Sequence, residues 1–375
     1  MPLPITTVFE DLPDPRRETA NKLHRLTDIL AIATCAVIGG ADTWDAIAAY
    51  GQAKEAFFRR FLPLPHGVPS ADTFARVFAK LRPDAFAAAF GRWMAAACDG
   101  TGLVPVAIDG KACRGAAANT AAGCLTVVSA WATTNRLTLG RVTVADGSNE
   151  IAAIPELLRA PDLSGALVTI DAAGCQVANA GIIREQGGHD PLAVKGNQPG
   201  LLAAVEGVFA DACEREFAGV PVDTHESADD GHGRREERYV TVIATPAGLP
   251  AEWASAAAVV QVNRVRDVGG TVAQTTQYYV TSHAGSADAL AGFVRGHWGI
   301  ENGLHWVLDV VFGEDDSRVR DGHAGANLAM LRRVAVSLLR RAPGKGTTPT
   351  KRLKAGWDDD FLIQVLQGIT ANEVR

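Results

Sequence analysis

Three acidic residues carry the most chemistry in this chain: Asp109, Asp171 and Glu301. Asp109 closes the apolar run Val104-Pro-Val-Ala-Ile-Asp and is followed by glycine. Asp171 closes a second apolar run, Ala166-Leu-Val-Thr-Ile-Asp, and Glu301 stands far downstream in a helical pattern. Two acids at strand ends and one on a later helix can supply hard carboxylate oxygens to two divalent metal ions, Mg2+ or Mn2+, which bind through few protein ligands plus water and phosphate. Two ions about 3.5–4 Å apart activate the attacking oxygen and stabilise the leaving one in phosphoryl transfer. A single strand ending in Asp-Gly is more often a turn signal; two such strands, in an order that lets them lie side by side, bring the site reading level with the turn reading, and Glu301 adds a little to it.

The elements that must position these acids are legible from periodicity. Phe293, His297, Ile300, Leu304, Val307 and Val311 recur at helical steps, so Phe293–Arg320 reads as one amphipathic helix. Glu301 lies at the edge of that face with His297, Trp298, Leu304 and His305 three and four residues away. That setting predicts an unsolvated carboxylate, costly unless it is paired or binds metal. Glu314, in Gly313-Glu-Asp-Asp316, is the rival third acid. His297 and His305 also permit a zinc reading, but no motif supplies a third ligand. Trp298 and Trp306 read as core residues rather than base-stacking platforms.

Upstream, residues 1–98 read as helical, with a loop at 62–70 and a helix starting at the cap Ser70 or Asp72. From 104 the order is β-β-β-α-β-α-β-α through residue 213. Three strands in a meander followed by alternating helices and strands is the order of the ribonuclease H-like fold. It allows the first and fourth strands to be neighbours, with Asp109 and Asp171 at adjacent carboxyl ends, where open α/β sheets place their sites. Residues 214–284 break the alternation and read as an all-β insertion, in which Asp229–Arg238 is a charged turn leading into a strand. The core resumes over 285–341, and 342–375 is a tail with a loop and a short helix. The fold class expected is therefore α/β: a ribonuclease H-like core in two parts (99–213 and 285–341), a helical N-terminal domain and a β-rich insertion.

Composition bounds the rest. The 375 residues are 47% apolar with a net charge of −6, which fits a folded chain and argues mildly against nucleic acid as partner. The distribution differs from the sum: Lys54–Arg82 and Arg318–Lys354 are basic stretches and read as local basic surfaces. The longest apolar run, Ile29–Ala41, is too short to span a bilayer, which needs roughly 20 residues, and reads as a buried helix. With no export signal and no paired cysteine spacing, Cys35, Cys98, Cys113, Cys124, Cys175 and Cys213 read as reduced, mostly core residues of a cytoplasmic protein.

Long, ordered segments across essentially the whole chain resemble the ISAs-type insertion-sequence transposases, the H-repeat-associated group of DDE transposases. They include Phe9-Glu-Asp-Leu-Pro-Asp-Pro-Arg-Arg17, Leu64-Pro-His-Gly-Val-Pro-Ser70, Ala107-Ile-Asp-Gly-Lys111, Thr169-Ile-Asp-Ala172, Lys195-Gly-Asn-Gln-Pro199, Gly231-His-Gly-Arg234, Arg295-Gly-His-Trp-Gly-Ile-Glu-Asn302 and Leu304-His-Trp-Val-Leu-Asp309. The resemblance implies metal-dependent cleavage and joining of double-stranded transposon-end and target DNA, with Asp109, Asp171 and Glu301 in the DDE roles. A homodimer on DNA is expected by analogy with paired-end cutting.

Lys111, Arg114, Lys195, Arg234, His297, Arg318 and Arg320 are the candidate DNA contacts. For Arg234 and its neighbour Arg238, salt bridges to Glu236 and Glu237 are an equal alternative. The sequence departs from the superfamily pattern around the third acid: the tyrosine, arginine and lysine positions read Val294, His297 and Leu308, and Gly115 replaces a basic residue. A nuclease that does not join strands, a DNA-binding relic without chemistry and an unrelated metal hydrolase are the competing readings.

Overall fold

The computed structural model describes residues 3–95, 103–116, 125–144, 148–231 and 233–368. Cys98, Cys124, His232, the 98/99 boundary and the last residues of the tail lie outside them. Contacts divide the chain into two compact units. One comprises Met1–Gly100, Gly110–Pro161 and Ile300–Arg375; the other comprises Thr101–Asp109 and Asp162–Gly299.

The first unit opens with helices Pro4–Thr7, Leu26–Ile38, Trp44–Ala53, Glu55–Phe58, Ala71–Lys80 and Pro83–Ala95. The apolar run forms Leu26–Ile38, in which every residue but Thr27 is buried. Ser70 caps Ala71–Lys80 by accepting from the Thr73 N–H, as its position beside the proline-rich loop predicts. Strand β1 (Val104–Cys113) enters this unit at Gly110. It neighbours β2 (Leu125–Ala132), which pairs antiparallel with β3 (Leu137–Thr143). Helix Ala324–Arg341 is buried along almost its whole length, Arg332 and Arg333 included. The stretch read as a basic surface is therefore partly core, because Arg333 and Arg352 find carboxylates in Glu314 and Asp42. The tail holds two helices, Thr348–Trp357 and Asp359–Gln367, where one was expected.

In the second unit, the start of β1 pairs parallel with β4 (Ala166–Ile170), and β4 with β5 (Pro191–Val194). β5 pairs antiparallel with β9 (Thr271–Thr281), followed in space by β8 (Ala258–Val268), β7 (Arg234–Ala244) and β6 (Val222–Gly231). The β-rich segment thus extends the same sheet rather than standing apart. β6 is the element that periodicity missed: Asp229–Arg238, read as a charged turn leading into a strand, does lead into β7, but its first residues, Asp229–Gly231, already belong to β6. Its sequence, V-D-T-H-E-S-A-D-D-G, carries no apolar alternation because both faces of that strand reach solvent. Helix Ala287–His297 packs Ala287 and Leu290 into a core with Val240, Val242, Val260, Val262 and Tyr279, and so marks the covered face of the sheet. No helix of the described residues is long and apolar enough to cross a membrane.

Candidate active site

Two of the three acids meet through strand register. The parallel β1–β4 ladder ends at the pair Ile108↔Ile170, and the next residue on each chain is the aspartate. Directly paired residues share a face and successive ones alternate. Asp109 and Asp171 therefore share the face of Ala107 and Thr169. β1 itself runs on to Cys113, so Asp109 sits within a strand, where the sequence suggested an end. Asp171 is exposed and turns the chain: its side chain accepts the Gly174 N–H at 3.2 Å.

Helix Ala287–His297 brings His297 against this part of the sheet. The Thr169 hydroxyl reaches the Val106 carbonyl at 3.4 Å, and His297 Nδ1 lies 3.0 Å from the same hydroxyl. If the hydroxyl donates to the carbonyl, its lone pair accepts the Nδ1 proton and the acceptor lone pair of the neutral ring falls on Nε2. Burial holds the His297 pKa below the ordinary histidine value; Asp171 opposes that shift and Lys195 reinforces it. Lys195 is exposed just past the end of β5.

Glu301 belongs to the other unit. It opens a π-helical turn, Glu301–His305, closed by the Trp306 N–H bonding to the Glu301 carbonyl. Turns of this kind are inserted in helices frequently at functional positions. The helix ends beyond Trp306–Val310, where Gly313 takes a left-handed conformation (φ +56°). The single helix to Arg320 is therefore corrected, and Arg318 lies in an exposed irregular segment. Glu301 is exposed, which overturns the expectation of an unsolvated carboxylate, and Trp298 and Trp306 are exposed too. The extra residue in the π turn rotates the helix face beyond it, so the buried set is Ile300, Leu304, Val307, Leu308 and Phe312.

Glu314, the rival acid, is sealed: it is 1% exposed and bonds Arg333 Nη1 at 2.8 Å. Burial, reinforced by Arg333 and Lys111, pushes the His305 pKa down to about 3. Among the described residues no group of three or more His, Cys, Asp or Glu could hold a metal ion. The donors present are nonetheless of the right kind for a hard cation: two carboxylates on neighbouring strands, one of them open to solvent.

Several expected DNA contacts have other partners. Lys111 is buried, with its ammonium 2.6 Å from Asp309 and 3.3 Å from Asp315. Burial works against its charge, but the Asp309 hydrogen bond and the charges of Glu314, Asp309 and Asp315 outweigh it and hold the pKa above the ordinary lysine value. Lys111 is thus an internal strut between β1 and the segment after Glu301. Its partner Asp309 closes the motif Leu304-His-Trp-Val-Leu-Asp309, and an acid at that position was the signal that could have revealed the strut. Lys111→Met is expected to raise the metal concentration for half-maximal DNA cleavage about tenfold while leaving DNA affinity in chelator unchanged, with Lys111→Arg recovering most of the loss. Weaker DNA binding with an unchanged metal response would return Lys111 to the role of phosphate contact.

Arg114 is exposed, and its backbone N–H bonds Asp315 at 3.2 Å. Arg320 bonds the Gly115 carbonyl at 3.0 Å. Arg234 lies 3.5 Å from Glu236, and Arg238 pairs with Glu236 and, at 2.7 Å, with Asp229. The salt-bridge alternative for this pair is therefore realised through Glu236, with Asp229 rather than Glu237 as the second acid; Glu237 pairs with Arg235.

Residues 92–338 match the model of the transposase DDE domain, and residues 6–94 match that of the DDE_Tnp_1-associated domain. A protein of Xanthobacter autotrophicus described as an uncharacterized protein in the dhlA 3' region is 42% identical over 73% of this chain and 93% of its own length. "H repeat-associated putative transposase YhhI" of Escherichia coli is 34% identical over 94% of this chain and 95% of its own length. YncI, from another strain of that species, is 35% identical over 95% and 92%. With a family model spanning well over half of its length and relatives matched nearly end to end, the chain belongs to the DDE transposase family.

Proposed function

We propose that this protein is a DNA transposase that cleaves the ends of its mobile element and joins them to target DNA, with Asp109, Asp171 and Glu301 as its catalytic acids on a ribonuclease H-like core. The observation that carries the reading is the β1–β4 register, which makes neighbours of two aspartates separated by 62 positions in the sequence. Membership of the family supports the reaction class, and the exposed Glu301 on its π turn supports the third assignment over the sealed Glu314.

In this reading the three carboxylates would hold two divalent cations, Mg2+ or Mn2+, which when bound would activate the attacking oxygen and offset charge on the leaving one. Asp171 is open to solvent, its backbone fixed by the Gly174 turn. His297 is held at Nδ1 by the Thr169 hydroxyl, which leaves Nε2 as the ring nitrogen for a further contact. Lys195, Arg114, Arg318 and Arg320 are exposed cations suited to the DNA backbone, contacts that orient the duplex without reading its sequence. Water attacks the phosphodiester at the element's end, the bond to the flanking strand breaks, and the freed 3′-hydroxyl attacks a target phosphodiester, releasing one target 3′-oxygen. Two ends cut together imply a homodimer on DNA.

The test is cleavage and joining of a labelled duplex carrying the element's ends, in magnesium, manganese or chelator, by wild type and Glu301→Gln. Metal-dependent cutting with joined products is expected for wild type, and a loss of about 10²–10³-fold for the variant. Cutting without joining would make the protein a nuclease, and cutting that survives in Glu301→Gln would remove Glu301 from the site.

A further inference from the structure

The β6–β9 ladder separates charge between its two faces in a way the linear sequence conceals. Cross-strand partners share a face. The register therefore groups Arg234, Glu236 and Arg238 of β7 with Asp229 of β6 and with Arg264 and Arg266 of β8. Thr271, Ala273 and Thr275 of β9, all short, complete this face. Arg295, from helix Ala287–His297, joins it through Asp229 at 2.9 Å. Toward the β6–β7 hairpin five arginines thus stand against two acids, while Asp223, and Asp288 beside His225, lie toward the other end of this face. The opposite face of the same block carries Arg235 with Glu237, Asp230 and Asp267: one arginine against three acids.

The acids on the arginine face are already engaged. Glu236 is buried and pairs with Arg238 and Arg234, and Asp229 pairs with Arg238 and Arg295. Among the described residues Arg264 and Arg266 have no ion pair with a carboxylate, and Arg266 is exposed with Arg264 half-buried.

Strand pairing carries the same face back to the aspartates. Val260, Tyr279 and Ala193 are paired in turn, and Leu192, next to Ala193, pairs with Ile170. Ala193 therefore faces the same way as Thr169 and Asp171, and the same way as Arg264 and Arg266. The buried cluster of Val240, Val260 and Tyr279 under helix Ala287–His297, with the partly buried Ala193 packed against it, lies on this side too.

We infer that the arginine face of the β6–β9 arm, with Arg264 and Arg266 at its centre, is a docking surface for the phosphate backbone of a DNA duplex whose scissile region lies at the aspartates. The inference rests on the proposed function for its choice of DNA. Its warrant is charge complementarity on the face that also bears Asp109 and Asp171: guanidinium groups free of carboxylates match phosphate oxygens, and the acidic reverse face repels them. The contacts are to the backbone, so they add affinity without sequence preference.

The test measures binding of the full chain to a labelled duplex in chelator across a salt series. Each phosphate contact contributes roughly 0.9 to the slope of log affinity against log salt. Arg264→Ala/Arg266→Ala is expected to lower that slope by about 1.8 and to weaken binding at least tenfold at low salt, and Arg264→Glu/Arg266→Glu to weaken it further. Arg235→Ala, on the acidic face, is expected to leave the slope unchanged. An unchanged slope in the double variant, with the fold intact by circular dichroism, overturns the inference, as does an equal loss in Arg235→Ala. Chelator removes cleavage from the measurement, so a wild type that binds but never cuts would sink the catalytic reading and leave this one standing. A cutting enzyme with an unaltered slope would do the reverse.

Discussion

Asp171→Asn is expected to lower the single-turnover rate of metal-dependent DNA cleavage by about 10³-fold, with duplex affinity in chelator within twofold of wild type. The substitution isolates charge from structure. Asp171 accepts the Gly174 N–H at the turn after β4, and an asparagine carbonyl oxygen accepts the same bond, both residues being good caps. The fold and the neighbouring Asp109 should therefore be unaffected. The variant loses one negative carboxylate, the group a hard cation requires. Asp109→Asn should behave alike, and the double variant should be little worse than either single one, because residues that act as one unit are not additive. Cleavage within tenfold of wild type in either variant would remove the strand-end pair from the chemistry.

The second large effect is on stability. Arg333 and Glu314 form a fully enclosed ion pair at 2.8 Å, and Arg333 also donates to the Ser129 hydroxyl and the Ala329 carbonyl, each at 3.0 Å. Breaking such a pair by removing one partner leaves a charge stranded away from water and costs about 3–5 kcal/mol. Arg333→Met is expected to destabilise the fold by that amount in chemical denaturation. Arg141, buried nearby with its own pKa pushed down to about 9 by burial and by Arg333, is itself held against its charge and is a poor substitute partner. Replacing both members, Arg333→Met with Glu314→Leu, should recover much of the loss, since an apolar pair of similar volume often matches a buried ion pair. A single variant as stable as wild type would show that the pair is not charged in the fold. This enclosure is also why Glu314 makes a poor third acid: a carboxylate committed to Arg333 is not available to a cation.

The sequence alone was enough for those features that depend on neighbours along the chain. The buried helix Leu26–Ile38, the cap at Ser70 and the order β-β-β-α-β-α-β-α come from apolar period, turn residues and capping chemistry, all local. Asp109 and Asp171 stood out because each closes an apolar run in the sequence, although β1 in fact continues past Asp109 to Cys113, and the resemblance of their motifs pointed the same way. The features that the tertiary structure decided depend on partners far away in sequence. Lys111 looked like a phosphate contact until Asp309 and Asp315 came against it, and Glu314 looked available until Arg333 enclosed it. Glu301 looked unsolvated because an unbroken helical wheel was assumed, and the π turn at Glu301–His305 breaks that wheel; Trp298 and Trp306 were read as core from residue type alone, and both are exposed. β6 was invisible because a strand wet on both faces has no alternation to read. The arginine face exists only through register: a shift of one residue in any β6–β9 pair would mix Arg264 and Arg266 with the acids of the other side, and no local pattern specifies that register.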